Sequence, residues 1–255
     1  MQTLFPAFDG LVWLVALLIP LLFLQRSLHR EIQAVFLILT RHEGIAAGAF
    51  ALIFFPGVVL HETSHFLMAV LLRVETGGFS LLPHPMPDGR LQLGYVETER
   101  VDVLRDSLVG AAPLIAGGLF VAYAAIYRLD MLPLWDVLRN GQFDLFWLGV
   151  TLLPKVPDFW LWFYLTFAVS STMLPSSSDR HAWLPLGLWI GGLVTLALLA
   201  GAGPWLLENL APPLNDFLRS VATLFGLSAA VHLVLIIPTL LVHRVLTRLT
   251  GVDVE

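Results

Sequence analysis

Residues 55–68 read FPGVVLHETSHFLM and lie inside an apolar run that extends from Ile45 to Leu72. A helix of that length crosses a bilayer, whose hydrocarbon core takes about 20 residues. The run nevertheless carries His61, Glu62 and His65. A charged side chain at the centre of a span is disfavoured by roughly 3 kcal/mol on insertion scales, so three ionisable groups together require a reason.

Reading this run as a span sets the fold class. The chain has 255 residues, 57% of them hydrophobic and only 13% charged, too little polar surface for a soluble domain of this size. Five further apolar stretches are read as spans: Leu4–Leu24, Ser107–Tyr127, Phe159–Leu174, Trp183–Leu199 and Val221–Val242. The sequence therefore predicts an all-α polytopic membrane protein of about six transmembrane helices. The first stretch lacks a basic start and a small-residue cleavage site, so it is expected to be a retained span. Glu31–Thr40 is too short to cross and is expected at the interface, and Phe143–Leu153 is expected to be interfacial or re-entrant. Between the second and third spans, prolines and Asp88-Gly89 mark a turn, and Leu91, Leu93 and Tyr95 alternate as in a strand. A small β-hairpin over 78–98 follows. The chain divides into residues 1–44, 45–181 and 182–255.

Net charge is −5 with no basic block, which argues against a nucleic-acid partner and leaves the lipid bilayer as the expected environment. There are no cysteines, so a metal would be held by His, Asp or Glu. With the N-terminus placed inside, arginine and lysine divide equally between the two sides, and charge does not set the orientation.

HETSH is an HExxH match at residues 61–65. On a helix, positions i and i+4 share a face, so His61 and His65 can offer imidazole nitrogens to one cation. Glu62 lies about 100° around the helix, within reach of a water on that cation without being a ligand. Zinc lowers the pKa of such a water to about 7, and the glutamate can take its proton as a carbonyl is attacked. HExxH arises by chance in on the order of one chain in a hundred, mostly in polar segments, so its place inside a span favours a metal site over a polar packing cluster. His42-Glu43 serves as a control, since Ala46 stands where a second histidine would be.

A catalytic zinc site needs a third protein ligand. The spans holding HETSH and Phe159–Leu174 run in the same direction, and Asp179 follows the latter in SSTMLPSSSDRHAW. Pro175 ends that helix, and Ser176, Ser177 and Ser178 can satisfy freed backbone groups. Asp179 is thus the expected third ligand, with His181 and His84 as rivals.

These residues resemble the site-2 proteases, which are intramembrane zinc metalloproteases, over roughly residues 45–181. The likeness rests on His61-Glu62-Thr63-Ser64-His65 in one core helix and Asp179 at the end of a later one. Ala112-Pro113-Leu114-Ile115-Ala116 partly matches the family's Gly-Pro-x-x-Asn element. Ala116 stands where the family's intervening element has asparagine, Thr172 stands near the asparagine position of its second motif, and Arg180 replaces a glycine after the aspartate. The resemblance implies a metalloprotease core at 45–181, zinc on His61, His65 and Asp179, and Glu62 as the base. It implies a membrane-associated β-element at 78–98 and a transmembrane protein as substrate. Leu91, Leu93, Tyr95, Pro113 and Ser177 are the expected substrate contacts. It also implies a prokaryotic plasma membrane, a site in the cytoplasmic half and both termini inside. A relative that binds helices without cleaving them is the alternative. A metal transporter is a weaker one, because spans one, five and six hold almost no ionisable residues beyond Asp9 and His232.

Overall fold

The computed structural model describes residues 9–85, 91–252 and 254, with the backbone alone for His84, Pro85 and Leu91. Two long helices open the chain, α1 (Asp9–Thr40) and α2 (Glu43–Leu71). A ribbon follows, built of β1 (Thr76–Ser80), β2 (His84–Pro85), β3 (Leu91–Gln92) and β4 (Tyr95–Thr98). Then come α3 (Val103–Tyr127), α4 (Met131–Arg139), α5 (Phe143–Leu152), α6 (Phe159–Thr172) and α7 (Trp183–Leu199). The short α8 (Gly203–Trp205) passes through a π-helical turn at Leu206–Leu210 into α9 (Ala211–Thr250).

Among the described residues, four helices are long and apolar enough to cross a membrane: α1, α2, α3 and the continuous stretch Gly203–Thr250. The expected count of six is not met. At 14 and 17 residues, α6 and α7 reach about 21 and 26 Å, short of a hydrocarbon core of about 30 Å. Proline explains the early end of α6, because Pro175 disfavours helical geometry in the residue before it. The last turns of α6, from Thr166 to Ser171, are buried among the other helices.

Glu31–Thr40 is also not a separate interfacial piece, because it continues α1 without a break. Glu31 is buried and its Oε2 lies 2.5 Å from Nδ1 of His243 on α9, while Ala34 and Ile38 are buried on the same helix. A carboxylate that looks like an interfacial marker in the sequence is therefore paired inside the bundle. Phe143–Leu152 is helical and packs against α4, with Gly149 beside Leu134.

The hairpin forms as expected. Thr76 faces Thr98, Phe79 faces Val96 and Ser80 faces Tyr95, and beyond them His84 faces Gln92. The expected Asp88-Gly89 turn lies outside the described residues. At the far end of the ribbon, the Asp102 carboxylate caps α3 by accepting the Arg105 N–H at 3.1 Å, a bond that holds its carboxyl below the usual range.

Helix directions follow from who touches whom. Tyr164 reaches the Ile53 carbonyl and Thr172 reaches His61, so α2 and α6 run in the same direction. Gly10 bonds Asn215, Leu17 meets Gly226 and Glu31 bonds His243, so α1 and α9 are parallel along most of their lengths. That pairing corrects the expectation of termini on one side: where α1 and α9 both cross, the start of one and the end of the other lie on opposite faces. Chain reversal between them fails because α7, in which no residue is buried, joins the end of α6 to the start of α9 rather than adding a full crossing. The core lies where α1, α2, α6 and α9 meet, around Leu28, Phe54, Phe167 and Val231.

Candidate metal centre

The HETSH turn sits in the C-terminal half of α2, on the side facing α3 and α6. Two glycines permit the close approach of those elements. A Cβ on Gly57, one turn before His61, would collide with the Ala168 carbonyl and the Thr172 hydroxyl of α6. One on Gly110 of α3 would collide with the Asp179 backbone carbonyl. Absent side chains at 57 and 110 thus bring α6 and the Asp179 loop against the histidines.

Both imidazoles are aimed by backbone carbonyls. His61 Nδ1 lies 2.6 Å from the Thr172 oxygen, and His65 Nδ1 lies 2.9 Å from the Val109 oxygen. A carbonyl can only accept, so each Nδ1 carries a proton, and in the neutral ring each Nε2 then presents a lone pair. Those two Nε2 atoms face each other at 3.2 Å. Asp179 completes the group, with Oδ1 at 3.4 Å from His65 Nε2 and Oδ2 at 3.8 Å from His61 Nε2. The Ser176 N–H donates to Asp179 Oδ2 at 2.6 Å and the Ser176 hydroxyl accepts the Asp179 N–H at 3.3 Å, which fixes the carboxylate.

These residues fit a cation. Two nitrogen lone pairs and a carboxylate converging on one point repel one another unless positive charge lies between them. Ligand atoms about 2.0–2.1 Å from a tetrahedral ion stand about 3.3 Å apart, close to the separations found here. A carbonyl behind each ligating histidine is the usual outer support of such a site. Among the described residues, His61, His65 and Asp179 are the group of donors able to hold a metal ion.

Glu62 lines the same cavity of about 590 Å³, and its carboxylate makes no hydrogen bond among the described residues. Gly94 of the ribbon lies over it; a Cβ there would stand 2.8 Å from Glu62 Cγ and 3.0 Å from Val58 Cγ1. The ribbon therefore roofs the site because residue 94 has no side chain.

Of the expected substrate contacts, Tyr95 and Ser177 line the cavity. Leu93 packs instead against the hydrophobic core, Pro113 is fully buried within α3, and the Leu91 side chain lies outside the described residues. The rival ligand His181 sits on the cavity rim, where Nε2 is 3.1 Å from Asp106 Oδ2 and Nδ1 is 2.7 Å from the Ser178 oxygen. The side chain of His84 is likewise outside the described residues. Sequence reading missed Gln92, Gly94, Arg100 and Asp106 in the cavity wall. Only Gly94 carried a signal, as a glycine interrupting an alternating strand. Comparison with protein-family models, with curated proteins and with solved structures found no match to this chain.

Proposed function

We propose that the protein is an intramembrane zinc metalloprotease that hydrolyses peptide bonds within or beside transmembrane segments of other membrane proteins. One observation carries this reading: His61 Nε2, His65 Nε2 and the Asp179 carboxylate converge in a cavity that also holds the Glu62 carboxylate. His61, His65 and Asp179 would hold the zinc. Bound there, zinc would acidify a water and polarise the scissile carbonyl. Glu62 takes a proton from water at its carboxylate and returns it to the departing amide nitrogen. The Thr172 and Val109 carbonyls keep the imidazoles in the ligating tautomer throughout.

An intact substrate helix hides its carbonyls in its own hydrogen bonds and must open locally. β4 contributes Tyr95, Val96 and Thr98 to the cavity wall, which supports pairing of an opened strand with the ribbon. In a bilayer, the cavity would lie in the cytoplasmic half of a prokaryotic plasma membrane, with α6 and α7 as short helices completing the path of the chain. Cleavage of a co-expressed reporter helix tests the mechanism. Glu62→Gln is expected to keep its zinc and lose cleavage, and equal cleavage by both proteins would refute the reading.

A zinc-loaded scaffold that does not cleave is the second reading. Thr172 favours it, because its hydroxyl bonds back to the Ala168 and Val169 carbonyls of its own helix at 3.2 Å and offers a substrate no amide. Stoichiometric zinc without cleavage of any reporter would select it.

A further inference from the structure

The last turn of α6 presents carbonyls that have no partner within the helix, at a depth where water is scarce. Side chains from three other helices meet that turn. His61 of α2 bonds the Thr172 carbonyl at 2.6 Å. Gln25 of α1 donates its side-chain amide to the Ser171 carbonyl. His232 of α9 stands 2.9 Å from the Ser171 hydroxyl. Proton positions in this chain are fixed by the partners. His232 Nδ1 lies 2.7 Å from the Ser228 carbonyl and must donate to it, so Nε2 accepts the Ser171 hydroxyl proton.

This cluster has no place in the proposed chemistry, yet it is buried to an unusual degree for polar groups. His232 and Ser228 are 0% exposed and Ser171 is 3% exposed. Packing alone would be served better by apolar residues, since burying polar groups gains little unless their geometry matters. Neighbouring backbone links the cluster to the metal centre: Ser171 is held by His232 and Gln25, and the next residue supplies the carbonyl that aims His61.

We propose that His232, acting through Ser171, is a positioning residue for the metal ligand His61. With Gln25 it clamps the C-terminal turn of α6 so that the Thr172 carbonyl holds the His61 ring with Nε2 toward Asp179 and His65. Its relevance to catalysis rests on the metalloprotease reading, but the positioning itself does not.

Two readouts on purified protein separate these. The first, on metal-free protein, is the ring-nitrogen NMR pattern of His61, assigned with His61→Gln. Wild type is expected to show the Nδ1–H tautomer alone, whereas Ser171→Ala and His232→Leu are expected to show a tautomer mixture. His232→Gln, whose side-chain oxygen can still accept from Ser171, is expected to restore the wild-type pattern. In the second readout, cobalt affinity is expected to fall about tenfold in Ser171→Ala and His232→Leu, with an altered visible spectrum, and to recover in His232→Gln. Ser171→Ala removes one oxygen and keeps the test available should His232→Leu fail to fold. A His61 pattern unchanged in Ser171→Ala overturns the proposal whatever the metal does. Wild-type protein that binds no cobalt, but whose His61 ring responds to Ser171→Ala, overturns the metal reading and upholds the positioning.

Discussion

Replacing Gly110 with alanine should perturb the candidate metal centre without changing any of the residues proposed as ligands. A Cβ at this buried position would point at the Asp179 backbone carbonyl, an atom that cannot rotate away as the end of a side chain can. Restoring ordinary van der Waals separation requires the loop to retreat by more than about 1 Å. Donor distances at a zinc site tolerate about ±0.2 Å, so the Asp179 oxygens, now 3.4 and 3.8 Å from the two Nε2 atoms, would leave the coordination sphere. Stability falls by at most about 3 kcal/mol: alanine in a helix interior gains up to about 1 kcal/mol over glycine, against about 1–3 kcal/mol for the local overpacking. Gly110→Ala should therefore fold and bind cobalt about 100-fold more weakly, equivalent to about 2.7 kcal/mol. Cobalt titration followed by the visible spectrum measures both affinity and geometry, with Asp179→Asn as the reference for loss of the carboxylate. Wild-type affinity with a wild-type spectrum in Gly110→Ala would refute the argument that the glycine admits the ligand loop.

Other expectations follow from the same geometry. Asp179→Ala should lower bound zinc below stoichiometric levels in protein purified without added metal, as measured by elemental analysis, while leaving the helical content unchanged. Glu31→Ala leaves the part-buried His243 without its partner and should cost about 1–3 kcal/mol, seen as a lower midpoint of unfolding in detergent with metal content intact in the folded fraction. A compensating Glu31→Leu with His243→Leu should recover most of that loss. Reporters fused before α1 and after α9 should give opposite topological signals, because those helices are parallel; matching signals would contradict the pairing of Glu31 with His243.

Much of the centre was legible because it is local. HETSH is one turn of helix, and helical geometry alone puts His61 and His65 on one face. Asp179 could be found from span direction and depth, since Pro175 marks where its helix must stop. The expected β-hairpin was readable from alternation and turn residues. What was not legible depends on pairings far apart in the chain. Hydropathy breaks at Arg30-Glu31, yet Glu31 is matched by a histidine 212 residues away, so α1 continues where a break was expected. The carbonyls of Thr172 and Val109 carry no residue-type signal, because every residue has one. Gly57 and Gly110 look like ordinary small residues of membrane helices until their opposite numbers are known. Leu93 and Tyr95 show the limit of alternation: two apart, they would share one face of a regular strand, but the chain leaves strand geometry at 93–94, between β3 and β4, and Leu93 packs on the core while Tyr95 lines the cavity. Helix direction misled for a similar reason, as a count of apolar runs assumes that each run crosses.

The parallel clasp of α1 and α9 has a bearing on the order of assembly. All three candidate metal ligands, and Glu62 beside them, have been synthesised by the time residue 179 leaves the ribosome. The partners that close the bundle around α6 have not, because Gly10 waits for Asn215 and Ser171 waits for His232. These contacts join positions 205 and 61 residues apart, and distant contacts are the slow ones to form. A nascent chain therefore carries the donors of the centre well before it carries the helix that steadies them, and maturation of the site is coupled to completion of the last helix.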